Sequence, residues 1–386
     1  MMILVRRFAV LLLGLLALAG TSAMAMTLEE RQALDLSAYR VRDPAAGYFD
    51  RAARRAYLAN TTDPILRQEI ERVRASVPCV EAMEMKPFAG DAPLADFYKD
   101  NPAWKLQVAQ FHRFEDALSA LAAAQFVEPN RVANGRCVIE ALDRWAKGGA
   151  FLAYDRKKAG LQTWFQIEST LFAMAFAYSL VREDVPGMEV EKARVEAWLV
   201  AAAHAHMAYP GARDGTCCNN HFYRRAVYAA MIGVLTRNDD LFRYGVSAVY
   251  SAVDDAAPDG TLPLEMKRGS HAAHYQNYAA MYLAFIAQIA GRQGYDLYQV
   301  TKDGRSLDTI LGQTLAINAT PSIVASRAGE TRQSDSYLGD GQYLSWLELA
   351  ARRPHLREVA LPTLQKMRPL YNRSLGGYAT LYFMEP

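Results

Sequence analysis

The fold class is clearest in residues 137–145, which read Cys137-Val138-Ile139-Glu140-Ala141-Leu142-Asp143-Arg144-Trp145. Val138, Leu142 and Trp145 follow one another at intervals of four and three residues, which places them on one face of an α-helix. Gly148 and Gly149 then end the pattern. The stretch therefore predicts an amphipathic helix with one buried face.

Patterns of the same kind continue on both sides of this stretch and cover most of the chain. Helices are predicted over 65–73, 104–125, 161–181, 189–206, 221–236, 238–256, 270–293, 305–317 and 341–368. Strand-like alternation is scarce, and residues 376–383 are one short candidate. These patterns predict an all-α chain, in which antiparallel helix pairs form a globular or toroidal assembly.

Domain boundaries are hard to find in this chain. Length alone would suggest two domains, but there is no low-complexity linker and no repeat that can be aligned, so one domain over 26–386 is predicted. Residues 26–60 are polar and mixed, which suggests a peripheral segment. The longest irregular stretch, between Cys79 and Pro102, is either a lid or binding loop or a surface excursion.

Residues 1–25 have the composition of an export signal. Arg6 and Arg7 supply the positive start, residues 8–19 the apolar run, and Ala23-Met24-Ala25 a small-residue cleavage site. The apolar run of about a dozen residues is too short to span a bilayer. The sequence therefore predicts a periplasmic protein, or one secreted further, with no membrane association once the signal is removed.

Charge argues against nucleic acid as a partner. The chain has 43 Lys and Arg against 41 Asp and Glu, and the signal removes two arginines and no acid, which leaves 41 of each. A broadly basic surface is therefore not expected. A polyanionic substrate would have to bind in a local basic groove.

The four cysteines are plausible disulfide partners in an oxidising compartment. Cys79 with Cys137 and Cys217 with Cys218 is one pairing, and cross-pairing is the other. Zinc is the competing interpretation, but no C-x-x-C or H-x-x-x-H spacing supports it. We predict no metal and no cofactor.

Two groups of polar residues suit chemistry on a carboxylated substrate. Asn219-Asn220-His221 precede a predicted helix, where an asparagine is by default an N-cap and a lone histidine is more often structural than catalytic. Arg268 and Tyr275 are seven residues apart and share a helical face if one helix covers both. Together, Asn, His, Arg and Tyr side chains can hold a carboxylate and move protons beside it.

Both groups resemble motifs of polysaccharide lyase family 5, the alginate or poly(β-D-mannuronate) lyases. Residues 217–223 are similar to the family's Asn-Asn-His-x-Tyr motif with its preceding cysteines or small residues. Residues 262–268 resemble Leu-Pro-x-Glu-Leu-Lys-Arg, and residues 275–279 resemble Tyr-His-Asn-Tyr-Ala. Weaker similarity over 137–150 and 375–377 extends the resemblance over most of the chain from about residue 79.

The resemblance implies an incomplete α/α toroid with a deep groove, in a monomeric, metal-independent enzyme that cleaves uronate polymers. Its catalytic residues fall on Asn220, His221, Arg268 and Tyr275, and it suggests a vicinal Cys217–Cys218 disulfide. Asn219 is the expected cap. The predicted substrate-binding residues are Lys86, Phe88, Trp164, Gln166, Asn219, Arg224, His271 and His274.

The expected reaction is β-elimination, which leaves a 4-deoxy-unsaturated uronate at the new non-reducing end. Asn220 and Arg268, with His221, would neutralise the uronate carboxylate and stabilise the enolate-like intermediate. Tyr275 would take the C5 proton and protonate O4 in mannuronate or glucuronate, where both groups lie on the same side. His221 would be the base for guluronate. Since the reaction needs tyrosinate, activity should rise toward mildly alkaline pH.

Two departures from the family pattern leave the preferred uronate open. Arg224 stands where members commonly carry Trp, and Gln276 replaces a His. Alginate is the first expectation and polyglucuronate the alternative. Two other interpretations compete: a glycoside hydrolase using two carboxylates such as Glu168 and Asp335, and a non-catalytic polysaccharide-binding or export protein.

Overall fold

The computed structural model of the chain describes residues 26–385 except 76–77, 89, 91–92, 98 and 212–215. The predicted export signal lies outside the described residues. Among those residues, no helix combines the length and the apolar character that crossing a membrane requires.

The first two thirds of the described chain consist mainly of helices, joined by connections of very different length. They are α1 (Leu28–Gln32), α2 (Arg51–Asn60), α3 (Pro64–Arg74), α4 (Cys79–Glu84), α5 (Asn101–Val127), α6 (Val132–Lys147), α7 (Arg156–Val181), α8 (Glu189–Met207), α9 (Asn220–Thr236) and α10 (Asp239–Asp255). Gly160 has a non-helical backbone, so the regular part of α7 begins at the predicted residue 161.

The rest of the described chain contains mostly shorter helices, together with the one strand pair found in the described residues. Its elements are α11 (Pro263–Met266), α12 (Ala272–Arg292), β1 (Thr301–Lys302), β2 (Arg305–Ser306), α13 (Leu307–Ala319), α14 (Ala325–Ala328), α15 (Gly341–Leu344), α16 (Leu347–Ala350), α17 (Pro354–Met367) and α18 (Ala379–Phe383). The strands β1 and β2 pair antiparallel. The prediction of an all-α chain is confirmed.

Helix α9 lies at the centre of the core and packs against α7, α8, α10 and α12. Two glycines let α9 and α10 approach closely. A Cβ at Gly233 would lie 2.5 Å from the backbone nitrogen of Phe242, and one at Gly245 would lie 2.5 Å from the Cβ of Ala230. Asn220, the first residue of α9, therefore stands on a helix that is buried along most of its length.

The C-terminal third differs from the sequence-based expectation in two places. The single helix predicted over 341–368 is three helices, because Pro354 starts a new one and the residue before a proline disfavours the helical region. The strand predicted over 376–383 is wrong. Gly376 and Gly377 adopt left-handed φ values of 87° and 85°, and after this turn the chain forms α18.

The segment 26–60 is not the peripheral element that its polar composition suggested. Tyr48 lies 5.5 Å from Phe176 between ring centroids, and Phe49 stacks on Tyr382 at 5.3 Å. The buried guanidinium of Arg54 donates to main-chain carbonyls of α18 and the residues after it. Tyr48, Phe49 and Arg54 are buried and attach this largely polar segment to the core.

The cysteines pair as Cys79–Cys137 and Cys217–Cys218, which confirms the first of the two predicted pairings. The first disulfide joins α4 to α6. The second joins neighbours in sequence, immediately before Asn219 and α9, and so lies next to the candidate site.

Candidate active site

A cleft of about 630 Å³ collects most of the chemically interesting residues of the sequence. The four predicted catalytic residues, Asn220, His221, Arg268 and Tyr275, all line it. Three of the predicted substrate-binding residues, Gln166, Arg224 and His274, line it as well. Residues separated by about a hundred positions in the chain therefore share one surface.

The two asparagines before α9 have different tasks. Asn219 is the N-cap, and its side-chain oxygen accepts from the backbone N–H of His221 at 3.0 Å. The backbone N–H of Asn220 donates to Oε1 of Glu265 at 2.6 Å, and its Nδ2 donates to Oε2 at 2.8 Å. Since an amide nitrogen carries two hydrogens, Asn220 keeps one N–H and its carbonyl for a ligand in the cleft.

Glu265 is fully buried beneath Asn220 and lies three residues before Arg268. Burial raises the pKa of Glu265 to about 7, although both bonds from Asn220 and the nearby Arg268 act in the opposite direction. The backbone carbonyl of Glu265 also accepts from the N–H of Arg268 at 3.0 Å. This residue therefore joins the Asn220 group to the Arg268 group.

Arg268 lies directly over the aromatic ring of Tyr275, with 3.8 Å from the guanidinium carbon to the ring centroid. Tyr275 is 8% exposed and lies in the first turn of α12, where it lines the cleft. Its neighbour Tyr278 is different, because burial raises the pKa of Tyr278 well above its ordinary value. Tyr278 stays neutral and is unsuited to act as a base.

The imidazole of His221 is held flat against Phe165. The ring centroids are 4.1 Å apart and the planes differ by 9°. Phe165 belongs to α7, so this contact fixes the orientation of a first-turn side chain of α9 from a second helix. The stack leaves the half-buried edge of His221 in the cleft.

Arg224, the departure from the family's Trp, forms part of the cleft but has its own carboxylate. Its Nε lies 3.1 Å from Oε2 of the buried Glu168, and it also donates to the Phe165 carbonyl and the Ser169 hydroxyl. The other carboxylate oxygen of Glu168 lies 3.3 Å from Nδ1 of His206. The positive charge of Arg224 is therefore balanced by the carboxylate of Glu168.

Gln166 reaches the cleft from a buried polar cluster. Its Nε2 donates to Glu115 at 2.8 Å, and the hydroxyl of Thr170 donates to the same carboxylate oxygen at 2.6 Å. Burial raises the pKa of Glu115 to about 8. Gln166 is therefore oriented by a carboxyl group that is largely protonated at neutral pH.

His274 lines the cleft as a neutral ring between tyrosines. It stacks on Tyr278 at 4.8 Å and on Tyr337 at 4.7 Å. Burial, with a smaller effect of His271, lowers the pKa of His274 to about 4. It can hydrogen-bond a ligand but carries no charge at neutral pH.

The remaining predicted substrate-binding residues do not line the cleft. Lys86 is exposed, and Phe88 packs between Phe111 and Phe151. Trp164 stacks on His206 at 4.0 Å, away from the opening. The side-chain oxygen of Asn219 accepts the capping hydrogen bond of α9. Nδ1 of His271 lies 3.3 Å from the Ser270 hydroxyl.

Sequence reasoning missed several residues of the site. Glu265 stands inside the quoted 262–268 motif, where a carboxylate three positions before an arginine was the available signal. From the long irregular stretch, Leu94 and Phe97 reach the cleft instead of Lys86 and Phe88. No periodic pattern marks them, because an irregular segment carries no register.

Comparison with known proteins decides the family. The family model described as alginate lyase matches residues 23–323. The chain belongs to the alginate lyase family. A polysaccharide lyase of Stenotrophomonas maltophilia is 34% identical over 169 residues, which is 43% of this chain and 49%, about half, of that protein. An alginate lyase of Azotobacter vinelandii is 28% identical over 291 residues, covering 73% of this chain and 75% of the other.

Solved structures of this family agree with the fold. Alginate lyase A1-III from Sphingomonas species A1 superimposes with a TM-score of 0.78 at 29% identity, over 92% of this chain and 99% of that one. A histidine-to-alanine variant of A1-III complexed with a tetrasaccharide has the same TM-score at 30% identity, over 90% and 97%. The predicted α/α toroid is thereby confirmed for this member of the alginate lyase family.

Proposed function

We propose that the protein cleaves alginate, with polymannuronate as the preferred block, by metal-independent β-elimination. The observation that carries this proposal is the Arg268 guanidinium 3.8 Å over the ring of Tyr275, in the same cleft as Asn220 and His221. Membership of the alginate lyase family supports the substrate class.

Arg268 and Asn220 are the groups that hold the uronate carboxylate. Arg268 supplies a permanent positive charge, and the N–H of Asn220 that Glu265 leaves unused supplies a second donor. Neutralising the carboxylate makes the C5 proton easier to remove, because the enolate-like intermediate places negative charge on the same oxygens.

Tyr275 is the proton-transfer residue of the proposal. In the proposed reaction the Tyr275 phenolate takes the C5 proton and then returns a proton to the departing O4. The guanidinium of Arg268 lies over its ring and holds the side chain beside the carboxylate site. One residue suffices in mannuronate because both groups lie on one side of the sugar. His221, fixed against Phe165, assists at the carboxylate and is the candidate base for guluronate.

The compensation of Arg224 by Glu168 bears on the choice of uronate. An unpaired arginine in the cleft could bind a further carboxylate of the substrate and change which uronate is preferred. Arg224, however, is already paired with Glu168 of the protein. Polymannuronate therefore remains the first candidate. The second candidate is polyglucuronate, because Arg224 in place of the family's usual Trp leaves the preferred uronate open.

A hydrolytic mechanism has less support. Glu168 is buried and engaged by Arg224 and His206, and Asp335 is exposed and lies outside the lining of the cleft. Two carboxyl groups facing one bond, as a glycosidase requires, are therefore not offered by this pair.

The experiment uses purified mature protein with separate polymannuronate, polyguluronate and polyglucuronate. The expected result is ultraviolet absorbance of an unsaturated uronate, which appears fastest on polymannuronate and far more slowly with Tyr275→Phe. Reducing ends without that absorbance would indicate a hydrolase, and binding without new chain ends would indicate a non-catalytic protein. Fastest cleavage of polyglucuronate would favour the second candidate.

We also propose that the protein acts as a monomer in the periplasm, to which its predicted export signal would direct it.

A further inference from the structure

A buried carboxylate outside the lining of the cleft contacts the first described residue of the chain. The backbone nitrogen of Met26 lies 2.5 Å from Oδ1 of Asp255. Asp255 is 3% exposed and Met26 is 8% exposed, so the contact is closed to solvent. The other carboxylate oxygen, Oδ2, has no hydrogen-bond partner among the described residues.

Asp255 stands where a negative charge is costly. It is the last residue of α10, at the negative end of the helix dipole, and Asp254 precedes it. Burial raises the pKa of Asp255 to about 7, with Asp254 and Glu30 acting in the same direction, while the Met26 contact and Arg31 lower it. A nearby cation would relieve this cost.

The described cations around Asp255 have other partners. Arg305 donates to the main-chain carbonyls of Asp254 at 3.1 Å and Ala256 at 2.7 Å. Arg31 donates to the carbonyl of Cys217 at 2.7 Å and lies 3.5 Å over the ring of Phe222. Lys302 pairs with Asp254. Tyr223, whose pKa is raised by burial and then by Asp255, faces the same group and stays neutral.

We propose that Asp255 is the binding site for the α-ammonium group that forms at Met26 when residues 1–25 are removed. Hydrolysis of the Ala25–Met26 peptide bond consumes one water, leaves a carboxylate on Ala25 and places an amine, protonated from solvent, on Met26. The single N–H donor of the peptide becomes three donors and a positive charge. Both Asp255 oxygens then have a partner, and the buried charge is compensated.

The anchored segment leads directly to the candidate site. Five residues after Met26, Arg31 contacts Cys217 and Phe222, on either side of the Asn219-Asn220-His221 stretch. Removal of the signal would thus add an ion pair at Met26, which stabilises the segment whose Arg31 packs against the start of α9. The unprocessed chain carries no charge at Met26 and lacks this ion pair.

The test compares four chains: one that begins at Met26 and one that retains Ala25, each with Asp255 and with Asp255→Asn. Each is made by site-specific removal of an N-terminal fusion and checked by intact mass. With Asp255 present, retention of Ala25 should lower Tm by about 4 °C. In the Asp255→Asn background, the chain that begins at Met26 and the chain that retains Ala25 should have the same Tm. The Met26 amine should react with an acylating reagent about tenfold more slowly than the Ala25 amine.

Three results would overturn the proposal. They are equal melting temperatures of the two N-termini with Asp255 present, an Ala25 effect that persists undiminished in Asp255→Asn, and an exported mature protein that begins at a residue other than Met26. If Asp255→Asn does not fold, the acylation rates of the two chains with Asp255 decide. Equal rates contradict the ion pair. None of these readouts depends on lyase activity.

Discussion

Asn220 donates to both oxygens of one buried carboxylate, with its backbone nitrogen 2.6 Å from Oε1 and its Nδ2 2.8 Å from Oε2 of Glu265. The two residues are 45 positions apart and belong to different motifs. The main-chain carbonyl of Glu265 also accepts from the N–H of Arg268 at 3.0 Å. Glu265 therefore positions two residues that we propose to hold the substrate, Asn220 through its side chain and Arg268 through its backbone.

Glu265→Gln should lower kcat/KM about 10- to 100-fold. The glutamine can accept only one of the two bonds and points an N–H₂ group at the other donor, which costs about 1–3 kcal/mol of positioning energy. The measurement is steady-state lyase kinetics, with circular dichroism to confirm folding. The exposed Glu358→Gln is the matched control. Unchanged kinetics in Glu265→Gln would show that Asn220 needs no anchor.

Tyr275→Phe should lower kcat by about 10²- to 10⁴-fold, because the proton-transfer group is lost while the ring under Arg268 remains. Substrate affinity should change little. A matched control exists in Tyr298→Phe, since Arg353 lies 4.1 Å over that ring outside the cleft. The variant should also lose any rise of activity toward alkaline pH. A residual rate near that of the control would exclude Tyr275 as base and acid.

Arg224→Ala should lower the free energy of unfolding by about 3–5 kcal/mol, because it leaves the buried carboxylate of Glu168 without its cation. Adding Glu168→Gln should restore a large part of that loss. Urea denaturation of the two single variants and the double variant measures the coupling. Arg67→Ala, on the exposed face of α3, is the control. Additive effects would contradict the pairing.

Stability should fall as pH rises from about 6.5 to 8. Below about 6.5 the lowered pKa values of His112 and His274, about 4 each, act in the opposite direction. The pKa of Glu115 is about 8 in the folded protein against an ordinary 4.5, so in this window the folded state keeps a proton that the unfolded state releases. Its stabilising effect is complete below the unfolded value and is lost as pH rises through the folded one, at about 1.4 kcal/mol per unit. Glu265, with a pKa of about 7, acts in the same direction.

Glu115→Gln should therefore flatten this pH dependence, since glutamine keeps an acceptor for Thr170 but cannot titrate. Denaturant titrations at pH 5, 6, 7 and 8 provide the comparison, with Glu358→Gln as the exposed control. A slope equal to that of the parent protein would place the pH dependence in other groups.

Local patterns sufficed for the long helices of the first two thirds of the chain but missed α1, α2 and α4. Val138, Leu142 and Trp145 predicted α6 because one turn of helix brings them to one face, and all three are buried. Patterns failed at 341–368 and 376–383. There the outcome depended on Pro354 and on two left-handed glycines, single positions that a periodic signal does not weigh.

The residue types of the site could be read from the amino-acid sequence, because chemistry limits which side chains hold a carboxylate and move a proton. Which of these side chains meet depends on the packing of the helices. It placed Asn220, His221, Arg268 and Tyr275 in one cleft and left Lys86, Phe88 and Trp164 outside. It also paired Asn220 with Glu265 and Arg224 with Glu168. Such contacts join residues tens of positions apart and depend on how helices pack, which no local spacing encodes.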